Sequence, residues 1–440
     1  MTFIEHIKSR ADIYLLILSW PLVGAFLPKP FAIGYAVLTF LLVLRTRDLT
    51  RIFIAFIAML IFSDSRSPMF AFAETAKIGV VVLTFIFITF NFHFFKKVPN
   101  IIFKYFLPFL IFALFATLWS PDKFTAFQKA FSYGLVYFVL PLLFLKAMVS
   151  DKSFIKDVLV FFFLMLSVSL LIHAVNPEFT SLVGRYRALL GNPNGLGIFL
   201  TVMCPLVFLL EKELGEQFKE NRFHFLFYAV FGLSLLLTGS RTSLIAILIF
   251  FLFNRLRYLS NTVAFILFIA LIFSYELLLS TVPEFIEFLG LAEYFRLDTI
   301  EEGSGRFIAW NFAWQRVQEV FFVGGGFGYT EYVFKEHFAE LSKLGHQGNA
   351  HNSFLTIWLD TGLIGILLFV TGLIRTSLLA IKNSAYALPV LFSVLFSTYF
   401  ESWLAASLNP FTGLFIISLS VLINDQYLSG DEMQTEDLSK

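Results

Sequence analysis

Positively charged residues stand where long apolar stretches of this chain begin. Arg241 lies in Thr238-Gly239-Ser240-Arg241-Thr242-Ser243, between two apolar segments. Arg306 lies in Gly303-Ser304-Gly305-Arg306, and His351 in Ala350-His351-Asn352-Ser353, directly ahead of the apolar run 353–374. Arg185-Tyr186-Arg187 leads through Gly191-Asn192-Pro193-Asn194-Gly195 into a further run. If those runs are helices, each of these residues sits at a helix mouth. A helix N-terminus offers free N–H groups and partial positive charge, which attract anions. Flanking glycines let the backbone approach a ligand closely. Arginine adds a permanent charge and a planar fork that matches phosphate oxygens. Several such ends on one face make a site for a dianion or a diphosphate. His351 adds a different chemistry, because neutral imidazole accepts a proton from a hydroxyl, which arginine cannot do.

Plainer readings stand beside these. An arginine at a span end is commonly an interfacial anchor, and a histidine beside Asn-Ser is commonly the neighbour of a helix cap. Gly324-Gly325-Gly326-Phe327-Gly328 lacks a preceding strand and a following Lys-Ser/Thr, so it reads as a tight loop and not a phosphate loop. Asp360 and Glu401 fall near the outer ends of spans, where either can partner an arginine and Glu401 can orient His351. No Asp/Glu/His cluster has metal-ligand spacing, and no carboxylate pair suggests glycoside hydrolysis. Cys204 is the sole cysteine, which excludes an intrachain disulfide.

The elements that must position these residues follow from composition. Of 440 residues, 58% are hydrophobic and 14% charged, against roughly a quarter charged in soluble domains. Mean hydropathy is +0.80. Apolar stretches recur from Ile13 to Ile423, so the medium is lipid and the backbone must satisfy itself in helices. A β-barrel is disfavoured, since segments such as 261–279 are apolar throughout. The fold expected is an all-α, polytopic transmembrane helical bundle of twelve to fourteen spans. They are read near 12–28, 31–46, 52–62, 76–95, 101–119, 131–148, 157–175, 195–211, 223–238, 241–254, 261–279, 353–374, 386–400 and 411–423. The expected organisation is an N-terminal bundle over 1–279, an outer loop over 280–352, C-terminal spans over 353–424 and a disordered tail over 425–440. Within the loop, Glu284–Tyr294 and Ser304–Phe321 read as short helices. The second has Phe307, Trp310, Trp314, Val317 and Phe321 on one stripe. Lys and Arg concentrate in alternate loops, among them Arg45, Arg47, Arg51, Lys96, Lys97, Arg255 and Arg257. That bias predicts both termini inside and the 280–352 loop outside. Net charge of +1 gives no hint of nucleic acid. A transporter would carry charged or Gly/Pro-broken spans near mid-membrane, whereas the polar features here gather at one surface.

Taken in order, these motifs resemble the O-antigen ligase and O-antigen polymerase superfamily of bacterial envelope glycosyltransferases. The resemblance is carried by Asn192-Pro193-Asn194, Thr238-Gly239-Ser240-Arg241-Thr242, Ser304-Gly305-Arg306 with Trp310, Gly324 to Phe327, Ala350-His351-Asn352-Ser353-Phe354-Leu355 and Asp360-Thr361-Gly362-Leu363-Ile364-Gly365, with Trp119-Ser120-Pro121 a weaker piece. It implies a fold like that of GT-C type membrane glycosyltransferases. It also implies a multi-pass protein of the bacterial inner membrane with its site at the periplasmic face. The donor implied is an undecaprenyl-pyrophosphate-linked glycan, transferred without metal or other cofactor. By the same resemblance Arg241 and Arg306 bind the departing pyrophosphate, and His351 activates the acceptor hydroxyl. Arg187, Asn194, Asn352 and Glu401 are expected to contact substrate. The acceptor is lipid A-core in a ligase or another lipid-linked repeat in a polymerase. A glycan or lipid transporter is the alternative of another class.

Overall fold

The computed structural model describes residues 7–215, 222–281, 306–344, 348–405 and 408–428. The chain is an all-α bundle, and every apolar segment read from the sequence is a helix. In chain order these are α1 (Ala11–Phe26), α2 (Lys29–Arg45), α3 (Leu49–Asp64), α4 (Ala73–Phe90), α5 (Ile101–Ala116), α6 (Lys123–Ser150), α7 (Ser153–Val175), α8 (Pro193–Leu214), α9 (Arg222–Thr238), α10 (Arg241–Arg255), α11 (Asn261–Thr281), α12 (Arg306–Glu319), α13 (Tyr329–Glu336), α14 (Ser353–Asn383), α15 (Ala387–Phe400) and α16 (Pro410–Ile423). Among the described residues six helical segments have the length and apolarity to cross a bilayer, and the shorter apolar helices α1, α9, α11, α15 and α16 accompany them.

The short helices have a physical reason. Every residue of α3 from Ile52 to Phe62 is buried, as is all of α16. A helix enclosed by other helices has no bilayer thickness to match, so α3 and α16 form a central core with α6 and α8. Edge-on aromatic contacts tie it together, such as Phe53 against Phe144 and Phe154 at 5.2 and 5.3 Å.

The helix ends sort their charges onto two faces. At one end Arg10 pairs with Asp48 (2.7 Å) and Asp157 (3.1 Å), and Arg51 with Asp12 (2.9 Å). Lys212 reaches Asp425 at 2.8 Å, so the chain after α16 continues as a docked helical turn, Asp425–Leu428, where a tail was expected. Residues 429–440 lie outside the described residues, as does the helix expected at 284–294. The other end gathers the motifs. A two-stranded hairpin that the hydropathy pattern did not announce, β1 (Ser181–Leu182) and β2 (Arg185–Tyr186), sits there. Its turn residues Val183 and Gly184 both have positive φ, 51° and 71°, as a tight hairpin turn requires.

The second loop helix forms as α12, but its docking face differs from the aromatic stripe. Ala309, Ala313 and Val317 are buried, whereas Phe307 and Trp314 are 57% and 41% exposed. Small residues let α12 approach α14 closely, and the large rings flank that contact, Trp314 meeting Trp358 edge-on at 5.6 Å.

α14 is broken at Gly362 (φ 65°, ψ −171°). The loop after α12 enters the break. Leu363 and Ile364 donate their N–H groups to Phe321 and Phe322 carbonyls (2.8 and 3.2 Å), and Gly325 and Gly326 donate to Leu359 and Asp360 carbonyls (2.9 and 3.1 Å). Trp119 Nε1 donates to the Gly324 carbonyl at 3.2 Å and Ser120 Oγ to the Phe327 carbonyl at 3.1 Å. Residues 324–328 therefore form a tight structural loop, as the missing strand and Lys-Ser/Thr indicated. A Cβ on Gly362 would lie 2.3 Å from Phe322 and Val323 backbone atoms, in a conformation that L side chains avoid. Gly362→Ala is therefore expected to lower stability by at least ~1–3 kcal/mol. Thermal unfolding of the purified protein in detergent measures this, and an unchanged midpoint would show that the break tolerates a side chain.

Candidate functional site

The N-terminus of α14 and the C-terminus of α15 are fastened to each other. Asn352 caps α14, its Oδ1 accepting the N–H groups of Phe354 (2.9 Å) and Leu355 (3.0 Å). Ser353 Oγ donates to the Glu401 carbonyl at 2.8 Å and accepts the Leu404 N–H at 3.2 Å. One residue ahead of the cap, His351 has φ +43°. That unusual conformation is held by its N–H donating to Asn349 Oδ1 (2.8 Å) and by Trp310 Nε1 donating to its carbonyl (3.4 Å). The result turns the imidazole toward Glu401, the residue that ends α15.

Glu401 is shared. Its Oε2 lies 3.1 Å from His351 Nδ1, and its Oε1 lies 3.1 Å from Arg306 Nη2. Burial alone would push the Glu401 carboxyl up, but the His351 hydrogen bond, the charges of His351 and Arg306 and the Arg306 hydrogen bond together hold it below its ordinary value of 4.5. An ionised carboxylate only accepts, so His351 Nδ1 is the N–H donor of that bond. Arg306 opens α12, donates through the same Nη2 to Thr242 Oγ1 at 3.3 Å and stands over the Phe400 ring at 5.5 Å. Thr242 follows Arg241 at the start of α10, so the openings of α10, α12 and α14 meet around Glu401.

His351 and Glu401 line a cavity of about 1230 Å³. Single-ligand pockets run to roughly 1,000 Å³, so this one can hold more than one small group. Asn194, Asp64, Arg66 and Arg185 also line it, with Leu182, Val183, Leu236 and Leu237 as apolar members.

The residues singled out from the sequence thus divide. His351, Arg306 and Glu401 come together as one hydrogen-bonded unit, and Arg241 flanks it in the chain. Asn194 lines the cavity and accepts from Arg185 Nη2 at 3.0 Å. Asn352 serves as a buried cap. Arg187 directs its guanidinium to the carbonyls of Phe179 (3.2 Å), Leu190 and Gly191 (3.5 Å each), bracing the loop before α8, and burial, reinforced by the charge of Arg66, lowers its pKa. The arginines that face the cavity are Arg66 and Arg185, and sequence reasoning passed over both. Arg185 stood beside Arg187 in the same motif, with nothing to say which of the two points inward. Arg66, in Ser65-Arg66-Ser67, had no apolar run starting at it. Among the described residues no three His, Cys, Asp or Glu side chains gather in a group that could hold a metal.

A polytopic helical membrane protein with a polar cavity at one end, bordered by a histidine–carboxylate–arginine unit, is the class the fold and site define. Residues 226–370, about a third of the chain, match the family model described as O-antigen ligase. That match supports the resemblance to the O-antigen ligase and O-antigen polymerase superfamily carried by the motifs. The match contains Arg241, Arg306, the Gly324–Gly328 loop, His351 and Gly362, while Glu401 and the Arg66 and Arg185 part of the cavity lie beyond it. No curated protein matches the chain.

The two roles open to Asn352 are separable. Asn352→Ala is expected to cost ~0.5–2 kcal/mol, the range for a lost cap, and Asn352→Asp to restore it. Thermal unfolding of both variants tests this; equal stability of Ala and wild type would move Asn352 from cap to ligand. Glu401 gives a pH signature. Because its folded carboxyl is held below 4.5, its stabilisation is complete above that pH and is lost as pH falls through the folded value. Wild type should lose more stability than Glu401→Gln between neutral pH and acid pH, read from unfolding midpoints. Parallel curves for the two proteins would contradict this.

Proposed function

We propose that this protein is an O-antigen ligase-like glycosyltransferase that moves a glycan from a polyprenyl diphosphate to an acceptor hydroxyl at the outer face of the bacterial inner membrane. One observation carries the reading: a buried carboxylate holds His351 Nδ1 beside a cavity, the arrangement that orients an imidazole for general-base work. In the proposed step Nε2 takes the acceptor hydroxyl proton as that oxygen bonds the anomeric carbon. The anomeric carbon–phosphate oxygen bond breaks, and its electron pair leaves with the lipid diphosphate. Glu401 stabilises the imidazolium that forms. Arg241 and Arg306 stabilise the charge gathered on the leaving group, an effect greatest in the transition state. Protein groups alone carry the step, because the lipid diphosphate is already activated. Glu401, expected to contact substrate, is here a positioning residue. The apolar members of the cavity lining suit a donor whose tail stays in lipid.

The acceptor is proposed to be lipid A-core, the ligase reading. Joining one lipid-linked repeat to another is the second reading. His351→Ala removes the proposed base while leaving the Asn352 cap intact. It is expected to insert normally and to reduce transfer at least ~100-fold, the lower scale of general-base contributions. Surface glycan and lipid-linked intermediates from cells carrying the variant decide the issue. Accumulated lipid-linked polymer without attached glycan fits a ligase, and single attached repeats fit a polymerase. Normal surface glycan would remove His351 from the mechanism.

A further inference from the structure

Three polar side chains on the α3 and α8 side of the cavity are each anchored through one oxygen. Asp64 ends α3 and lines the cavity, and its Oδ2 accepts the Gly191 N–H at 3.0 Å. Asn192 caps α8 and lines the cavity too, its Oδ1 accepting the Gly195 N–H at 2.8 Å. Asn194, in the first turn of α8, accepts Arg185 Nη2 through its Oδ1 at 3.0 Å. Each anchor commits one atom and leaves its twin: Asp64 Oδ1, Asn192 Nδ2 and Asn194 Nδ2. Among the described residues no protein group bonds any of these three atoms. None of them is sealed inside protein either, and all three side chains are partly exposed. They therefore open toward the cavity that their side chains line. The carboxylate and the cap amide are neighbours over a glycine. A Cβ on Gly195 would lie 3.5 Å from Asp64 Oδ2 and 3.7 Å from Asn192 Nδ2.

An acceptor set beside donors calls for a ligand that both gives and takes hydrogen bonds. A simple anion does not suit the carboxylate, and a simple cation does not suit the amide N–H groups. A sugar hydroxyl suits both, since it donates one hydrogen and accepts through its oxygen. Two adjacent hydroxyls on a pyranose ring present that pair of functions side by side. We propose that Asp64 and Asn192 form a sugar-diol subsite. One ring hydroxyl donates to Asp64 Oδ1, and its neighbour accepts from Asn192 Nδ2. Asn194 Nδ2 supplies a further donor. The anchoring bonds set both side chains before the sugar arrives, which lowers the ordering cost of binding. His351 and Glu401 line the same cavity, so the bound sugar shares its space with the proposed base. That this sugar belongs to a transfer substrate rests on the transferase reading; the sugar binding itself does not. The subsite selects among glycans, because a sugar lacking one of the two hydroxyls leaves a polar atom of the site unpaired.

The test exchanges donor and acceptor while keeping both anchors. Asp64→Asn retains an oxygen for the Gly191 N–H but turns the free acceptor into a donor. Asn192→Asp retains the cap, since the two residues cap equally well, but turns the free donor into an acceptor. The full-length protein in a sugar-free detergent is titrated with the methyl glycosides of glucose, galactose and mannose, followed by saturation-transfer NMR. Wild type should bind at least one of them. Each single variant should weaken that binding at least ~tenfold, the scale of a hydrogen bond to a charged group. The double variant restores one acceptor and one donor and should recover most of it. Loss of an anchor alone would not produce that recovery. No binding by wild type, unchanged binding in either single variant, or a double variant no better than the singles would each overturn the subsite. A transfer assay of Asp64→Asn then names the source of the sugar. A KM increase for the donor places the diol on the donor glycan, and one for the acceptor places it on the acceptor. Unchanged KM for both would refute a role in selecting substrate. If wild type binds glycosides through Asp64 yet transfers no glycan, the transferase reading fails and the subsite stands.

Discussion

A single carboxylate joins three helix ends that the chain keeps far apart in sequence. Glu401 ends α15, Arg306 opens α12 and His351 precedes α14, and each bond to the carboxylate is 3.1 Å. A buried carboxylate without partners would be costly, and a neutral one would not order the imidazole. Two cationic or N–H-donating partners remove that cost and fix the geometry together. The positive φ of His351 belongs to the same arrangement, since local hydrogen bonds from Trp310 and Asn349 hold a backbone conformation that a β-carbon residue seldom adopts.

Behind this unit lies a scaffold without chemistry of its own. Asp360 accepts from Gly328 N–H at 2.9 Å, Thr330 N–H at 2.8 Å and Thr330 Oγ1 at 2.7 Å, so a buried acid caps the start of α13. Gly362 opens α14 to the 321–326 loop, and Trp119 and Ser120 clamp that loop from α5's end. Segments that look like a phosphate loop and a charged span end are thereby structural. They set the outer part of α14, and with it the orientation of Asn352 and His351. The residues that resemble the family therefore fall into two kinds: those that border the cavity, and those that hold α12, α13 and α14 in register.

The cavity itself gathers groups that no local segment could bring together. Arg66 follows α3, Arg185 lies on the hairpin before α8, and Glu401 follows α15, yet all three line one space. In this bundle the space lies at the end, where its polar walls are kept away from hydrocarbon. The apolar core of α3, α6, α8 and α16 is the solid base on which that polar end rests.

Hydropathy determined the fold class directly. Apolar runs must be helices where the backbone has no water to bond, and each of the fourteen segments read from the sequence is one. Helix-mouth glycines, caps and cations were equally local, so His351, Arg306 and Arg241 could be picked out by type and position. Tertiary structure decided which of them meet. Nothing in the sequence around Glu401 distinguishes a ligand for substrate from a partner for His351, because the deciding contacts span 50 and 95 residues. The choice between Arg185 and Arg187 turned on where the strand ends: Arg185 lies on β2 and lines the cavity, whereas Arg187, just past it, turns to the Phe179, Leu190 and Gly191 carbonyls. Burial of Ala309 and Ala313 beside Val317, with Phe307 and Trp314 left largely exposed, turned on how closely another helix could approach. Periodicity and composition record whether a residue meets lipid, water or protein, but pairing between distant helix ends is written only in how the bundle closes.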